Sequence, residues 1–365
     1  ASATPETVIV RPDQYVGVST WTGNNGIQSI NAGLKPDFVW IKGRSNARDH
    51  VLFDTIRGPL KTLTTNGTAA EATQADTLTA FNSDGFTIGS QSRTGINNET
   101  YVGWSWKAGG NKNTFNIDDV GYASAAAAGL TGGTITPTGA SVGTKQGFSI
   151  IKFTNTTSDS TQSHGLTQKP DFIIWKKTSG TSHWPVYHSS LGATKYTYLN
   201  LTNAASTGSE FWNNTEPTSS IVTTKGEPNS MGSAGDTIMY LWHNVPGLQK
   251  FGKYKGNGSA TNGTFIELGF KPAVVIIKNT VGYTEPWLIF DNQRNTHNPT
   301  DNYLYPNLSA VEADDYYPMD FLSNGFKLYN NAAAANTSGN SAEFIYAAWA
   351  EAPEFNLYGG QSNAR

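Results

Sequence analysis

The chain has 365 residues, 25 basic and 28 acidic side chains, a formal net charge of −3 and no cysteine. These figures exclude disulfides, thiolate metal sites and a cysteine nucleophile, and charges scattered without a basic run leave no footprint for nucleic acid. With 37% hydrophobic, 12% aromatic and only 15% charged residues and 38 glycines, the composition suits β-sheet with many turns rather than a disordered chain or a helical bundle.

The length predicts two or three domains, at roughly 100–200 residues each. No run of about 18 apolar residues occurs, so no membrane insertion is expected. Ala1 to Arg11 lacks a basic segment followed by an apolar one, so no signal peptide is expected.

In chain order, the first elements are an aromatic strand, Ser19-Thr-Trp-Thr-Gly23, and then Gly33-Leu-Lys-Pro36-Asp-Phe-Val-Trp-Ile-Lys42. The second is a turn, a proline and an apolar run of strand length ending in lysine. Val51-Leu-Phe-Asp54, a short strand ending near Asn66, Ser83-Asp-Gly-Phe-Thr-Ile88 and Tyr101-Val-Gly-Trp-Ser-Trp106 follow. Residues 108–146 are rich in Gly, Ala, Ser and Thr and read as an extended arm or linker.

The same series then returns. Ile151-Lys-Phe-Thr-Asn155, Lys169-Pro170-Asp-Phe-Ile-Ile-Trp-Lys176, Trp184-Pro-Val-Tyr-His188, Asn200 and Met239-Tyr-Leu-Trp242 form a second copy. Lys253-Tyr-Lys-Gly256, Gly269-Phe-Lys-Pro272-Ala-Val-Val-Ile-Ile-Lys278, Trp287-Leu-Ile-Phe-Asp291, Asn307, Ser323-Asn-Gly-Phe-Lys-Leu328 and Ile345-Tyr-Ala-Ala-Trp349 form a third. Short alternating strands between Gly, Asn, Asp and Pro turns predict an all-β fold of three tandem β-sandwich repeats, jelly-roll or lectin-like. The expected boundaries are 1–107 for repeat one with an N-terminal extension, 108–146 for the arm, 147–247 for repeat two, 248–355 for repeat three and 356–365 for a C-terminal tail. The short join between copies two and three predicts close packing of those two, with copy one set apart or reaching its neighbours through the arm; packing of all three around a pseudo-threefold axis is the alternative arrangement.

Catalytic chemistry finds little support. The six histidines form no metal-ligand spacing, and no Gly-x-Ser-x-Gly elbow occurs. Asp37 and Asp171 align, but the third copy has Ala273 there; Asp54 and Asp291 align, but the second copy has His188. With no carboxylate kept in all three copies, no catalytic residue, metal site or cofactor is assigned. The pairs Asp118-Asp119 and Asp314-Asp315 read as solvated turn carboxylates, with loop Ca²⁺ as the alternative.

Trp40, Trp104, Trp175 and Trp242 fall where a core needs them. Aromatics near loops are the candidates for binding: Trp184, Trp212, Trp287, Tyr283, Tyr316 and Tyr317, with Trp21 beside them. Such rings stack on sugars, and they equally suit a protein interface.

The Lys-Pro-Asp-Phe runs, the stretch Tyr196-Thr-Tyr-Leu-Asn-Leu-Thr-Asn203 and the close Ala347-Ala-Trp-Ala-Glu-Ala-Pro353 resemble uncharacterised repeats of marine and cyanobacterial phage virion proteins, described as tail-fibre or structural. The resemblance covers nearly the whole chain from about Val18 and carries no catalytic motif. It implies a virion protein made in the bacterial host cytoplasm, partnered by other virion proteins, assembled as a homo-oligomer, and contacting a host-surface glycan or receptor. A purely architectural head decoration or head fibre is the alternative, and a polysaccharide depolymerase the second.

Overall fold

The computed structural model describes residues 8–9, 11–226 and 234–352 and the backbone of two short strands at 354–355 and 361–362. Apart from the backbone of 361–362, the expected tail, 356–365, lies outside the described residues, as does most of the N-terminal extension. Among those described, the helical elements are two single 3₁₀ turns, Pro12–Gln14 and Gly339–Ser341. All else is strand and turn, so the chain is all-β, and no helix is long and apolar enough to cross a membrane.

Three antiparallel groups of four strands organise it. The first group is β1 (Val16–Thr22), β2 (Phe38–Gly43), β3 (Val51–Asp54) and β4 (Thr100–Trp106). The second is β5 (Phe148–Asn155), β6 (Phe172–Lys177), β7 (Pro185–His188) and β8 (Gly235–Trp242). The third is β9 (Gln249–Lys255), β10 (Pro272–Asn279), β11 (Leu288–Asp291) and β12 (Glu343–Ala350). Their spatial orders, β1-β4-β2-β3, β5-β8-β6-β7 and β9-β12-β10-β11, are the same. We call the three groups, each with its flanking strands, units one to three.

The central strands β2, β6 and β10 are buried along their whole length. That explains their unbroken apolar runs, because a strand covered on both faces has no polar side to alternate with. One face of each sheet packs on a smaller sheet of its own unit. In unit one, Val39, Ile41 and Phe53 meet Ile30, Leu78, Phe86 and Ile88. The opposite face, carrying Phe38, Trp40 and Trp104 in unit one, joins Phe172, Tyr240, Val274, Ile276 and Ala347 of the other two in one shared core. Each unit is therefore a sandwich over a private core, and the three sandwiches stand back to back on a common one.

At one end of that core Trp106, Trp242 and Trp349 touch pairwise. Their centroids are 6.3, 5.2 and 5.9 Å apart and their interplanar angles 69°, 68° and 69°. Trp106 and Trp242 are the final residues of β4 and β8, and Trp349 is the last but one of β12. Near-equal edge-to-face angles among three rings are what a pseudo-threefold relation produces.

Two expectations are corrected here. Unit one is not set apart: Trp40, Trp104 and Trp106 lie in the same core as units two and three. Residues 108–146 are also not an extended arm. Strands Phe115–Ile117, Val120–Tyr122 and Gly139–Gly143 add to one edge of the sheet of unit two, and Lys195–Tyr198 and Ser206–Thr207 to the other, making nine strands. Phe115, Ala125, Leu130 and Val142 enter that unit's core. Low charge and small residues disguise a segment that sends several of its apolar side chains into that core, although Val120 stays exposed.

Candidate functional site

The seams between units use the residues that repeat. Strands β3, β7 and β11 end in Asp54, His188 and Asp291. Tyr240 Oη of unit two donates to Asp54 Oδ2 at 2.7 Å. His188 Nε2 meets the Tyr346 carbonyl of unit three at 3.1 Å, and Trp104 Nε1 of unit one donates to Asp291 Oδ2 at 3.0 Å. One meets two, two meets three, and three meets one, so the ring is closed. Asp54 and Asp291 are also paired with Arg57 at 2.5 Å and Arg294 at 2.6 Å, with at most 1% side-chain exposure in either pair. Burial holds His188 down to about 4, so it is neutral.

The lysines that end the apolar runs lie in the same seams. Lys42 Nζ donates to the Gly43 carbonyl and, at 3.3 Å, to the Ser309 carbonyl of unit three. Lys176 Nζ reaches the Thr68 carbonyl of unit one at 3.1 Å, and Lys278 Nζ the Thr202 carbonyl of unit two at 3.1 Å. Burial pushes Lys42 down to about 8 and Lys176 and Lys278 down to about 7.

Four of the six candidate binding aromatics are buried, which corrects that expectation. Trp184 Nε1 donates to the Thr64 and Gly67 carbonyls of unit one at 3.0 and 3.1 Å, and Trp287 Nε1 to the Tyr198 carbonyl of unit two at 2.8 Å. Both are seam plugs, positioned by backbone N–H groups that donate to Asn200 and Asn307 Oδ1 at 3.0 and 2.9 Å. Trp212 lies in the core of unit two against Trp175 and Tyr187, at 5.9 and 5.7 Å. Tyr317 is buried as well. Trp21 and Tyr283 are half-buried.

Tyr316 alone of the six is a surface ring, 63% exposed. It stands edge-on to Tyr317 at 4.7 Å and 87°. Behind it Tyr303 meets Tyr317 at 4.7 Å and 76°, and Tyr305 at 5.3 Å and 72°. Unit two builds the same trio from Tyr196, Phe211 and Tyr198, at 4.8 Å and 77° and at 5.4 Å and 72°. Unit one has Thr62 and Thr64 at the matching strand positions and no trio. Tyr303 and Tyr305 escaped the sequence reading, although Tyr-x-Tyr stands at one spacing before both Asn200 and Asn307.

Carboxylates lie in the same region of unit three. Asp315 precedes it, and Asp301 is raised above the usual carboxylate range by burial and by the nearby Asp315. Glu285 is raised by burial, and the Tyr305 and Tyr317 hydroxyls are pushed up to about 12 by burial, with the charge of Glu285 adding to the rise. A rigidly backed ring with carboxylate acceptors beside it can stack on the C–H face of a pyranose and take its hydroxyl protons in hydrogen bonds. No group of three or more His, Asp or Glu that could hold a metal ion is found among the described residues. Asp118 and Asp119 instead accept from Thr144 Oγ1 and Lys107 Nζ, at 2.6 and 2.7 Å.

The fold and this surface define a class: an all-β body of three back-to-back sandwiches that presents one tyrosine- and carboxylate-rich patch. The chain belongs to the family described as a domain of unknown function, DUF7483, which matches residues 11–353. That single match runs through all three units and the seams between them. No curated protein matches the chain.

Proposed function

We propose that the chain is a non-enzymatic structural protein of a phage virion, a tail fibre or appendage, and that it contacts a host-surface glycan or protein through unit three. The observation that carries the contact is Tyr316, an exposed ring backed by the Tyr303–Tyr305–Tyr317 ladder. The virion setting rests on the resemblance of the repeated Lys-Pro-Asp-Phe runs. Other virion proteins and further copies of the chain are its partners in this reading. The architectural reading, a head decoration or fibre, draws on Trp184, Trp212 and Trp287, whose rings are spent inside the molecule. Glycoside hydrolysis needs two available carboxylates about 5–10 Å apart. Asp54 and Asp291 cannot serve, being buried against arginines.

The test is binding of the labelled protein to intact cyanobacterial cells, with and without their extracted polysaccharide, while reducing sugar is assayed. Saturable binding that the polysaccharide competes away and Tyr316→Ala abolishes, with no sugar released, is expected. Binding with sugar release would establish the depolymerase instead. No binding by the folded protein would leave the architectural reading.

A further inference from the structure

The first strands of the three units, β1, β5 and β9, take the same place: Val16, Phe148 and Gln249 stand opposite Trp106, Trp242 and Trp349 of the closing strands. Each bonds to its closing strand on one side and turns the other side outward. Unit two covers that outer side. Gly139–Gly143 runs antiparallel along Phe148–Lys152, and Thr138 N donates to the Lys152 carbonyl at 2.8 Å. Unit three closes it piecemeal. Gln249 N donates to the Val245 carbonyl at 3.0 Å, Phe251 N to Asn244 Oδ1 at 2.7 Å, and Thr264 Oγ1 to the Lys255 carbonyl at 3.0 Å. Lys253 and Lys255, both exposed, put charge along the same edge, a common guard against strand addition.

Unit one has neither device. β1 is the terminal strand of its sheet. Just outside its two ends, Lys107 N donates to the Tyr15 carbonyl at 2.9 Å and Gly23 N to the Glu99 carbonyl at 2.8 Å. Bonded positions alternate along an antiparallel pair, so Gly17, Ser19 and Trp21 face β4, and Val16, Val18, Thr20 and Thr22 aim their N–H and C=O groups outward. The Thr22 carbonyl accepts from Gln28 Nε2 at 3.0 Å. Among the described residues, no group bonds the outward N–H or C=O of Val18 or Thr20. Arg11 holds the place before Val18 that Asn244 holds before Phe251, but a guanidinium carries only donors, and this one is paired with Asp13 at 2.6 Å. The strand Val-Gly-Val-Ser-Thr-Trp-Thr has no charge, whereas the counterparts of Thr20 are Lys152 and Lys253. Val18 is half-buried, and Thr20 and Thr22 are exposed.

We infer that the outer edge of β1 pairs antiparallel with the same edge of a second copy of the chain, joining the two unit-one sheets across a twofold axis. An open row of backbone donors and acceptors selects an extended strand as its partner. The like edge fits because it is self-complementary. With the two Ser19 residues opposite each other, Val18 of each copy faces Thr20 of the other, and each such pair exchanges two N–H···O=C bonds. No charge on the strand opposes its own copy. The contact satisfies both rows at once and leaves neither open, so it closes at two copies. That further copies are partners rests on the proposed function; the surface, its register and the number of copies go beyond it.

The test is sedimentation velocity of the full chain from about 1 to 100 μM, with residue-resolved amide hydrogen exchange at both ends of that range. A monomer–dimer equilibrium is expected. The Val18 and Thr20 amides should exchange more slowly at the higher concentration, while those of Ser19 and Trp21, bonded within the chain, stay unchanged. Thr20→Pro removes an outward donor and none that the sheet uses, and should weaken dimerisation by about tenfold or more. Thr20→Val keeps the donor and should dimerise as the unaltered chain does. Near-ultraviolet circular dichroism verifies the fold of both; should Thr20→Pro not fold, Thr20→Lys takes its place with the same expectation. Three results would overturn the inference: a chain monomeric throughout, a dimer indifferent to the edge variant, or Val18 and Thr20 amides already protected in the monomer, which would show the edge closed within one chain. Association is read without cells, so its absence leaves the Tyr316 contact standing. A dimeric chain that binds no cells removes that contact and keeps the edge.

Discussion

Lys42, Lys176 and Lys278 are each held by carbonyl oxygens in a seam, and burial lowers all three to about 7 or 8. Unfolded, a lysine keeps its proton to about pH 10.4. Between the folded and unfolded values the unfolded chain binds more protons, so stability rises with pH across that window. Above about pH 10 the slope reverses: Tyr101, Tyr305 and Tyr317 are pushed up to about 12 by burial, and they ionise first in the unfolded chain. The urea midpoint is therefore expected to be higher at about pH 9.5 than at about pH 7, and Lys176→Met to flatten that rise. A midpoint falling steadily over the same interval would show that the seam lysines are not what titrates. The tryptophans allow a second contrast. Trp184 Nε1 bonds two carbonyls of unit one, whereas Trp349 Nε1 is buried without a partner. Trp184→Phe should therefore cost about 1–2 kcal/mol more than Trp349→Phe, since it alone breaks hydrogen bonds. Equal denaturation midpoints for the two variants would deny the seam bonds that role.

At the scale of elements, residues 108–146 give the sharpest prediction. A linker tolerates truncation of its side chains, but Leu130 is 2% exposed in the core of unit two. Leu130→Ala is expected to destabilise by about 2–4 kcal/mol, read as a fall in the urea midpoint at constant slope. A change within error would return the segment to the status of an arm. The strands themselves were legible: a proline, an apolar run and a closing lysine mark β2, β6 and β10, and Ser-Asp/Asn-Gly-Phe marks a hairpin in units one and three. The structure gives that glycine its reason, since a Cβ on Gly85 or Gly325 would lie 1.9 or 2.0 Å from the carbonyl oxygen of Ile30 or Ile266. Unit two pairs Ser160–Ser163 with Ile221–Thr224 there, without the motif, so no counterpart was found. What stayed hidden was long-range. Trp184 and Trp287 stand beside loops in sequence, and only ring closure turns those loops against a neighbouring unit. The departure at Ala273 was visible as a broken alignment, but its consequence, an Asn292 Oδ1 buried without a partner where Asp37 is fully bonded in unit one, required both corners to be placed in space.

At the scale of the whole molecule, one core serves three sandwiches, so none has a complete interior of its own. A lone unit would expose the inner face of its sheet, in unit two Phe172, Ile174, Tyr240 and Trp242. Burying one tryptophan removes about 150–250 Å² from water, worth about 5 kcal/mol at ~25 cal/mol per Å² before entropy is counted. Exposing all four of these side chains, at roughly 2–5 kcal/mol each, uses up what a domain of such length holds in reserve, about 5–15 kcal/mol. The units should therefore unfold together. Calorimetry of the full chain is expected to show one transition, with the calorimetric and van't Hoff enthalpies in agreement. Trp242→Ala, which removes one ring of the three at the end of the shared core, should lower that transition as a whole and cost about 3–5 kcal/mol. If the variant instead split the trace, with units one and three melting at the original temperature, the closed ring would be three neighbours in contact. Cooperativity also bears on the proposed role: a body that opens only as a whole offers no partly unfolded state in which one unit exposes its strands, a property that suits a protein carried on the outside of a particle.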